Sequence, residues 1–158
     1  MVGTPVLALI PLFPFLGFLV NNLFGRRLPK AVSGGVACLA VFAAFATASA
    51  AVWSLVQLPA DQRIVEQTVY AWIPSGDVAI PLMFRLDPLG AVMVLVVSGI
   101  GFLIHVYSTA YMHEEADGEY ARYFAYLNLF AAFMLVLVLG ANFLVMFVGW
   151  EGVGLCSY

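Results

Sequence analysis

The chain has 158 residues, 64% of them hydrophobic and only 9% charged, with a mean hydropathy of +1.03. A soluble domain carries about 25% charged residues, so a water-soluble fold is excluded. The net charge of −3, with no basic patch, excludes a nucleic-acid partner.

The charges are clustered. Stretches 1–25, 31–60, 88–112 and 123–150 contain no Asp, Glu, Lys or Arg, and each is long enough to cross a hydrocarbon layer, which takes about 20 apolar residues. The pattern is that of an all-α, multi-pass protein of the lipid bilayer. The two cysteines, Cys38 and Cys156, lie inside apolar runs and read as small fillers, forming neither a disulfide framework nor a metal pattern. No signal peptide is expected, because Met1 to Pro5 is uncharged and the cations follow the apolar run instead of preceding it.

In chain order, a first span is expected from about Pro5 to Phe24, kinked at Pro11 and Pro14. Gly25-Arg26-Arg27-Leu28-Pro29-Lys30 is a cationic turn, and a second span rich in Ala, Gly and Ser covers Ala31 to Gln57. Residues 58–87 read as an extramembrane β-hairpin: β-prone Glu66 to Ile73, turn chemistry at Pro74-Ser75-Gly76-Asp77, and a return over Val78 to Phe84 with an irregularity at Pro81. Asp87-Pro88 opens a third span that reaches Met112, and an acidic turn covers Glu114 to Glu119. From Arg122 onward a single helix would run about 55 Å, too long for one crossing of about 30 Å. The break falls at Gly140-Ala141-Asn142, giving a fourth span over 122–140 and a fifth from Asn142, still apolar at Tyr158. The sum is about five transmembrane helices with a short hairpin between the second and third, expected to be the start of a longer protein. The cations set an orientation. With the N-terminus outside, inner loops hold Arg26, Arg27, Lys30 and Arg122, against Arg63 and Arg85 outside.

Glu151 stands out. It lies nine residues beyond Asn142, about 13–14 Å along a helix, near mid-bilayer, where an ionisable group costs about 2.5–3.5 kcal/mol. Such a group needs a protein or water partner, or a proton. Helical spacing puts Phe147, Glu151, Gly154 and Tyr158 on one face and a smooth stripe of Gly149, Gly152 and Cys156 nearly opposite. Burial disfavours the carboxylate and a nearby cation favours it, so Glu151 suits proton uptake and release. The alternative is a structural acid bonded to a neighbouring helix. A side chain facing lipid or the water boundary would remove the transport reading.

His105, in the third span, is either an interhelical hydrogen bond or a further proton-pathway group. Asp87 is either a helix-start charge beside Arg85 or part of a proton exit at the outer mouth. Asn128 and Asn142 read as interhelical glue or a cap. Tyr107, Tyr111, Tyr120, Tyr123 and Tyr126 read as an interfacial belt. No hydrolytic triad, phosphate loop, haem or zinc pattern is visible.

The run Phe147-Val148-Gly149-Trp150-Glu151-Gly152-Val153-Gly154-Leu155-Cys156-Ser157-Tyr158 resembles the fifth-helix motif of the L chain of NADH-quinone oxidoreductase (respiratory complex I), equivalent to mitochondrial chain 5. Asp87-Pro88-Leu89, Gly101 to Ser108, Tyr111-Met112 and Arg122 to Phe130 agree in order. The resemblance is strong over 84–158 and mostly hydropathy over 1–83. In the related cation/proton antiporter chains, Trp-Glu is expected to lead into a more Ser/Thr-rich tail.

The resemblance implies an antiporter-like bundle that moves protons while electrons pass from NADH to quinone elsewhere. Residues 1–83 would supply two helices and the outer hairpin, and 84–158 the start of the proton-translocating part. It implies that Glu151 matches a glutamate paired with a lysine on a later helix, a lysine this sequence does not contain. It implies other membrane subunits as partners, with the hairpin at their contacts. No cofactor or metal is expected in this chain, with NADH, FMN, iron–sulfur clusters and quinone held by other subunits. The implied location is the inner (plasma) membrane of a bacterium more than the mitochondrial inner membrane. The readings left open are a cation/proton antiporter chain and a non-transporting scaffold.

Overall fold

A computed structural model of the chain describes residues 6–75 and 78–158. Met1 to Pro5, the Pro5 start of the first span, and Gly76-Asp77 of the expected turn lie outside the described residues. Five α-helices and a two-stranded hairpin follow in order: α1 (Val6–Phe24), α2 (Lys30–Val56), β1 (Val65–Ser75), β2 (Val78–Leu86), α3 (Pro88–Tyr111), α4 (Asp117–Leu139) and α5 (Phe143–Ser157). Single-turn 3₁₀ segments follow α1 and precede β1. The first four helices are long and apolar enough to cross a membrane. Over its 15 described residues α5 spans about 22 Å, short of the hydrocarbon thickness.

The interior combines small residues and buried polar ones with apolar side chains such as Ile10, Phe124 and Leu135, while many other large apolar residues face outward. On α2 the buried stripe is Gly34, Ala37, Val41, Ala44, Ala48 and Leu55, an alternating three-and-four spacing that keeps one seam inward. Leu39, Trp53, Leu89 and Phe143 are exposed. Lipid tails are as apolar as leucine, so helices in a bilayer associate through close small-residue packing and internal polar bonds. The bundle has that pattern. Helix α4 sits against α1, α2, α3 and α5, and one core cluster joins Leu7, Ile10, Ala44, Val94, Leu135 and Val145 from all five helices.

The hairpin is antiparallel, with Val65 opposite Leu86 and register shifts between Thr68 and Tyr70 and between Ala71 and Ile73. Pro81, which has no N–H to give to the ladder, lies opposite Ala71 at the second shift. The hairpin clamps one end of the bundle. Gln67 Oε1 accepts the backbone N–H groups of Leu7 (2.9 Å) and Ala8 (3.1 Å), filling orphan donors at the start of α1. Ala141 N–H donates to Met83 O at 3.0 Å, and Asn142 Nδ2 donates to Pro81 O at 2.8 Å. At the other end Lys30 Nζ donates to His113 O (3.0 Å) and lies 3.4 Å from Asp117 Oδ1. The 25–30 turn and the 112–116 turn therefore share an end, and the hairpin shares the opposite end with the 140–142 turn.

Two expectations are corrected. Helix α4 begins at Asp117, not near 122, because Asp117 and Glu119 occupy its first turn, where negative charge suits the positive helix end. The acidic run is thus partly helix that projects beyond the apolar span. The tyrosine belt also divides: Tyr107, Tyr111 and Tyr126 are exposed, whereas Tyr120 is buried with Ala37 and Phe124 and Tyr123 shares a 3.0 Å hydrogen bond with Ser108 Oγ.

Candidate functional site

Asn142 starts α5 as a cap, its Oδ1 accepting Val145 N–H at 3.0 Å. From there Val145, Gly149 and Gly152 are buried, and the stripe lies on α4. A Cβ on Gly149 would come within 2.5 Å of Leu137 N and 2.7 Å of its Cα, so the two backbones touch. A Cβ on Gly152 would strike the Phe133 ring. Cys156 is half-buried and free.

That packing fixes the opposite face. Phe147, Glu151, Gly154 and Tyr158 are all exposed, on the one face that their spacing gives them. Nothing lies within 4 Å of a Cβ placed on Gly154, so the space beside the carboxylate is open. Among the described residues Glu151 has neither a hydrogen-bond nor an ion-pair partner, and it is the only charged residue in 123–158. A neighbouring helix of this bundle does not hold it.

His105 is placed differently, 1% exposed between α3 and α4. Its Nδ1 lies 2.7 Å from Gly101 O and its Nε2 lies 3.1 Å from Asn128 Oδ1. The interhelical bond expected of His105 and of Asn128 is one and the same. Asp87 caps α3: its Oδ1 accepts Gly90 N–H at 2.7 Å, and Oδ2 lies 3.7 Å from Arg85 Nε. Arg85 also lies 3.7 Å from Glu66 Oε1. Glu151, His105 and Asp87 therefore form no single cluster; they lie on separate faces or ends.

Sequence reasoning missed three polar ties. Ser33 Oγ donates to Asn21 Oδ1 (2.8 Å) while Asn21 Nδ2 donates to Ser33 O (3.2 Å), joining α1 to α2. The Ser108–Tyr123 bond joins α3 to α4. The Gln67 cap joins hairpin to α1. The signal available was helical spacing: Gly101, His105 and Ser108 share one face of α3.

The family model for "NADH-Ubiquinone oxidoreductase (complex I), chain 5 N-terminus" matches residues 72–124. NADH-quinone oxidoreductase subunit L of Mycobacterium tuberculosis is 39% identical over 156 residues, 99% of this chain and 24% of that protein. The chain is similar to complex I chain 5 and subunit L. The likeness to complex I subunit L thus extends through residues 1–83, beyond what the motifs alone carried. F(420)H(2) dehydrogenase subunit L of Methanosarcina mazei is 43% identical over 152 residues, 95% of this chain and 21% of that protein. Among solved structures, an Mrp complex from Dietzia sp. DQ12-45-1b superposes with a TM-score of 0.72 at 28% identity, over 96% of this chain and 15% of that one. The antiporter-like bundle is thereby shown. The chain spans about a quarter of the length of the curated complex I relatives it matches.

Proposed function

We propose that this chain is the N-terminal part of a proton-translocating membrane subunit of a complex I-type NADH:quinone oxidoreductase, with Glu151 on the proton path. The observation that carries this reading is the lone, unpartnered carboxyl on the open face of α5. A bilayer does not leave such a group facing lipid without several kcal/mol of cost. The open face beside Gly154 gives room for a cation from a part of the protein beyond Tyr158. Residues 84–158 begin the transporting part, and redox cofactors belong to other subunits. The relatives named as complex I subunits support the electron-transfer setting.

The mechanism is electrostatic. A charge arriving near Glu151 changes its attraction for the partner cation, which then takes or gives up a proton. Asp87 is better explained as the α3 cap and Arg85 neighbour than as a proton exit. The membrane is the inner (plasma) membrane of a bacterium, with the N-terminus outside and the Arg26–Lys30 end inside.

The test is Glu151→Gln in the assembled complex in sealed vesicles. Lost pumping with assembly and NADH oxidation retained supports the reading; unchanged pumping makes the chain a scaffold. The Mrp likeness favours a second reading, a cation/proton antiporter chain. Sodium-dependent proton exchange in the absence of NADH would select it.

A further inference from the structure

A neutral imidazole carries one N–H and one lone pair. Gly101 O accepts only, so Nδ1 of His105, 2.7 Å away, carries the hydrogen. The other nitrogen then faces the Asn128 carbonyl oxygen at 3.1 Å, an arrangement that bonds only if Nε2 is protonated as well. Asn128 is fully buried, and its Nδ2 is without a partner among the described residues. Turning the amide by half a revolution exchanges Nδ2 for Oδ1 in the same volume. Nδ2 then donates to a neutral Nε2. The pair therefore bonds the imidazolium in one amide orientation and the neutral ring in the other, with one side-chain torsion as the only movement.

The amide's far side abuts α1 and α2 at Gly17, where a Cβ would lie 2.7 Å from Asn128 Nδ2 and 2.7 Å from Ala40 Cβ. The titratable groups packed nearby are Tyr120 and Tyr123 of α4, which flank Phe124, and Cys38 of α2, which faces Tyr120. Among the described residues no carboxylate, guanidinium or amine bonds to either member of the pair.

Two features lie near it. Ser108 lies one turn from His105 on α3, about 4.5 Å along the axis. It bonds Tyr123, which also lines an open concavity of about 860 Å³ with Arg122, Tyr126 and Ser157. On the other side an apolar groove of about 210 Å³ between α3 and α4, walled by Ile100, Ile104, Leu127 and Phe130, ends at the imidazole.

We propose that His105 and Asn128 form a proton-holding station, separate from Glu151. The step is proton binding only: Nε2 takes up one proton from the medium, Nδ1 keeps its hydrogen on Gly101 O, and the amide turns its oxygen toward the ring. The station does not rest on the transport reading.

The experiment is infrared titration of the assembled complex, wild type minus His105→Gln, over about pH 5 to 9, the range in which histidine titrates. The expected result is an imidazole band that converts with pH and an amide carbonyl band that shifts at the same midpoint. Asn128→Leu should remove the amide band and move the imidazole midpoint. An imidazole band that stays constant across the range, or a midpoint indifferent to Asn128→Leu, overturns the station. The titration is read without turnover, so an inert imidazole refutes the station whatever Glu151→Gln does to pumping.

Discussion

Replacing Gly149 by alanine inserts one methyl group where α4 and α5 meet backbone to backbone. The new Cβ would lie 2.5 Å from Leu137 N and 2.7 Å from Leu137 Cα, against about 3.5–4.0 Å for an unstrained contact. Neither atom belongs to a side chain that can rotate away, so α5 must shift by about 1 Å. Overpacking of this kind costs about 1–3 kcal/mol. Alanine also gains up to about 1 kcal/mol over glycine from helix propensity, which would mask part of the loss. Gly154→Ala supplies the control: the same helix and the same propensity gain, but nothing within 4 Å of the added carbon. The difference between the two variants isolates the contact. We expect Gly149→Ala to be less stable than Gly154→Ala by about 1–3 kcal/mol, read from SDS titrations of the detergent-solubilised protein by circular dichroism. Equal midpoints would refute the α4–α5 packing, and with it the assignment of Glu151 to the open face.

Other outcomes follow from the same geometry. Asn142→Ala removes the α5 cap and the bond to Pro81 O, and should destabilise the α5 start by about 1–2 kcal/mol, seen as faster amide exchange at Val145 and Met146. Gln67→Leu strips the acceptor from Leu7 and Ala8 and should raise exchange at those two amides while leaving α2 unchanged. Gly154→Leu fills the space beside Glu151; it should leave this bundle's stability intact and lower proton pumping in the assembled complex. A membrane-impermeant thiol reagent added outside should label a cysteine at 141 and not one at 116, and the reverse would invert the orientation.

Much of this fold is legible in the sequence because hydropathy and punctuation carry it. Asp87-Pro88 and Asn142 cap the helices they were expected to begin, and the α5 face that carries Glu151 follows from spacing alone. The start of α4 was displaced because charge marks where apolar crossing ends, not where hydrogen bonding ends; Asp117 and Glu119 favour the helix they precede in hydropathy. Tyr120 and Tyr123 fell out of the aromatic belt for another reason. Their inward turn depends on Gly34 and Ser108 of other helices, and long-range partners leave no local trace. His105 and Asn128 were each visible as buried polar residues, but only the crossing of α3 and α4 makes them one pair.

The account turns on what the Glu151 face meets. A spin label at position 151 in the assembled complex, tested for collisions with oxygen dissolved in the bilayer, reads this directly. Low oxygen accessibility, with the label immobilised by neighbouring protein, is the predicted result. Oxygen accessibility near the mid-bilayer maximum would put the carboxyl in lipid and contradict the proton path.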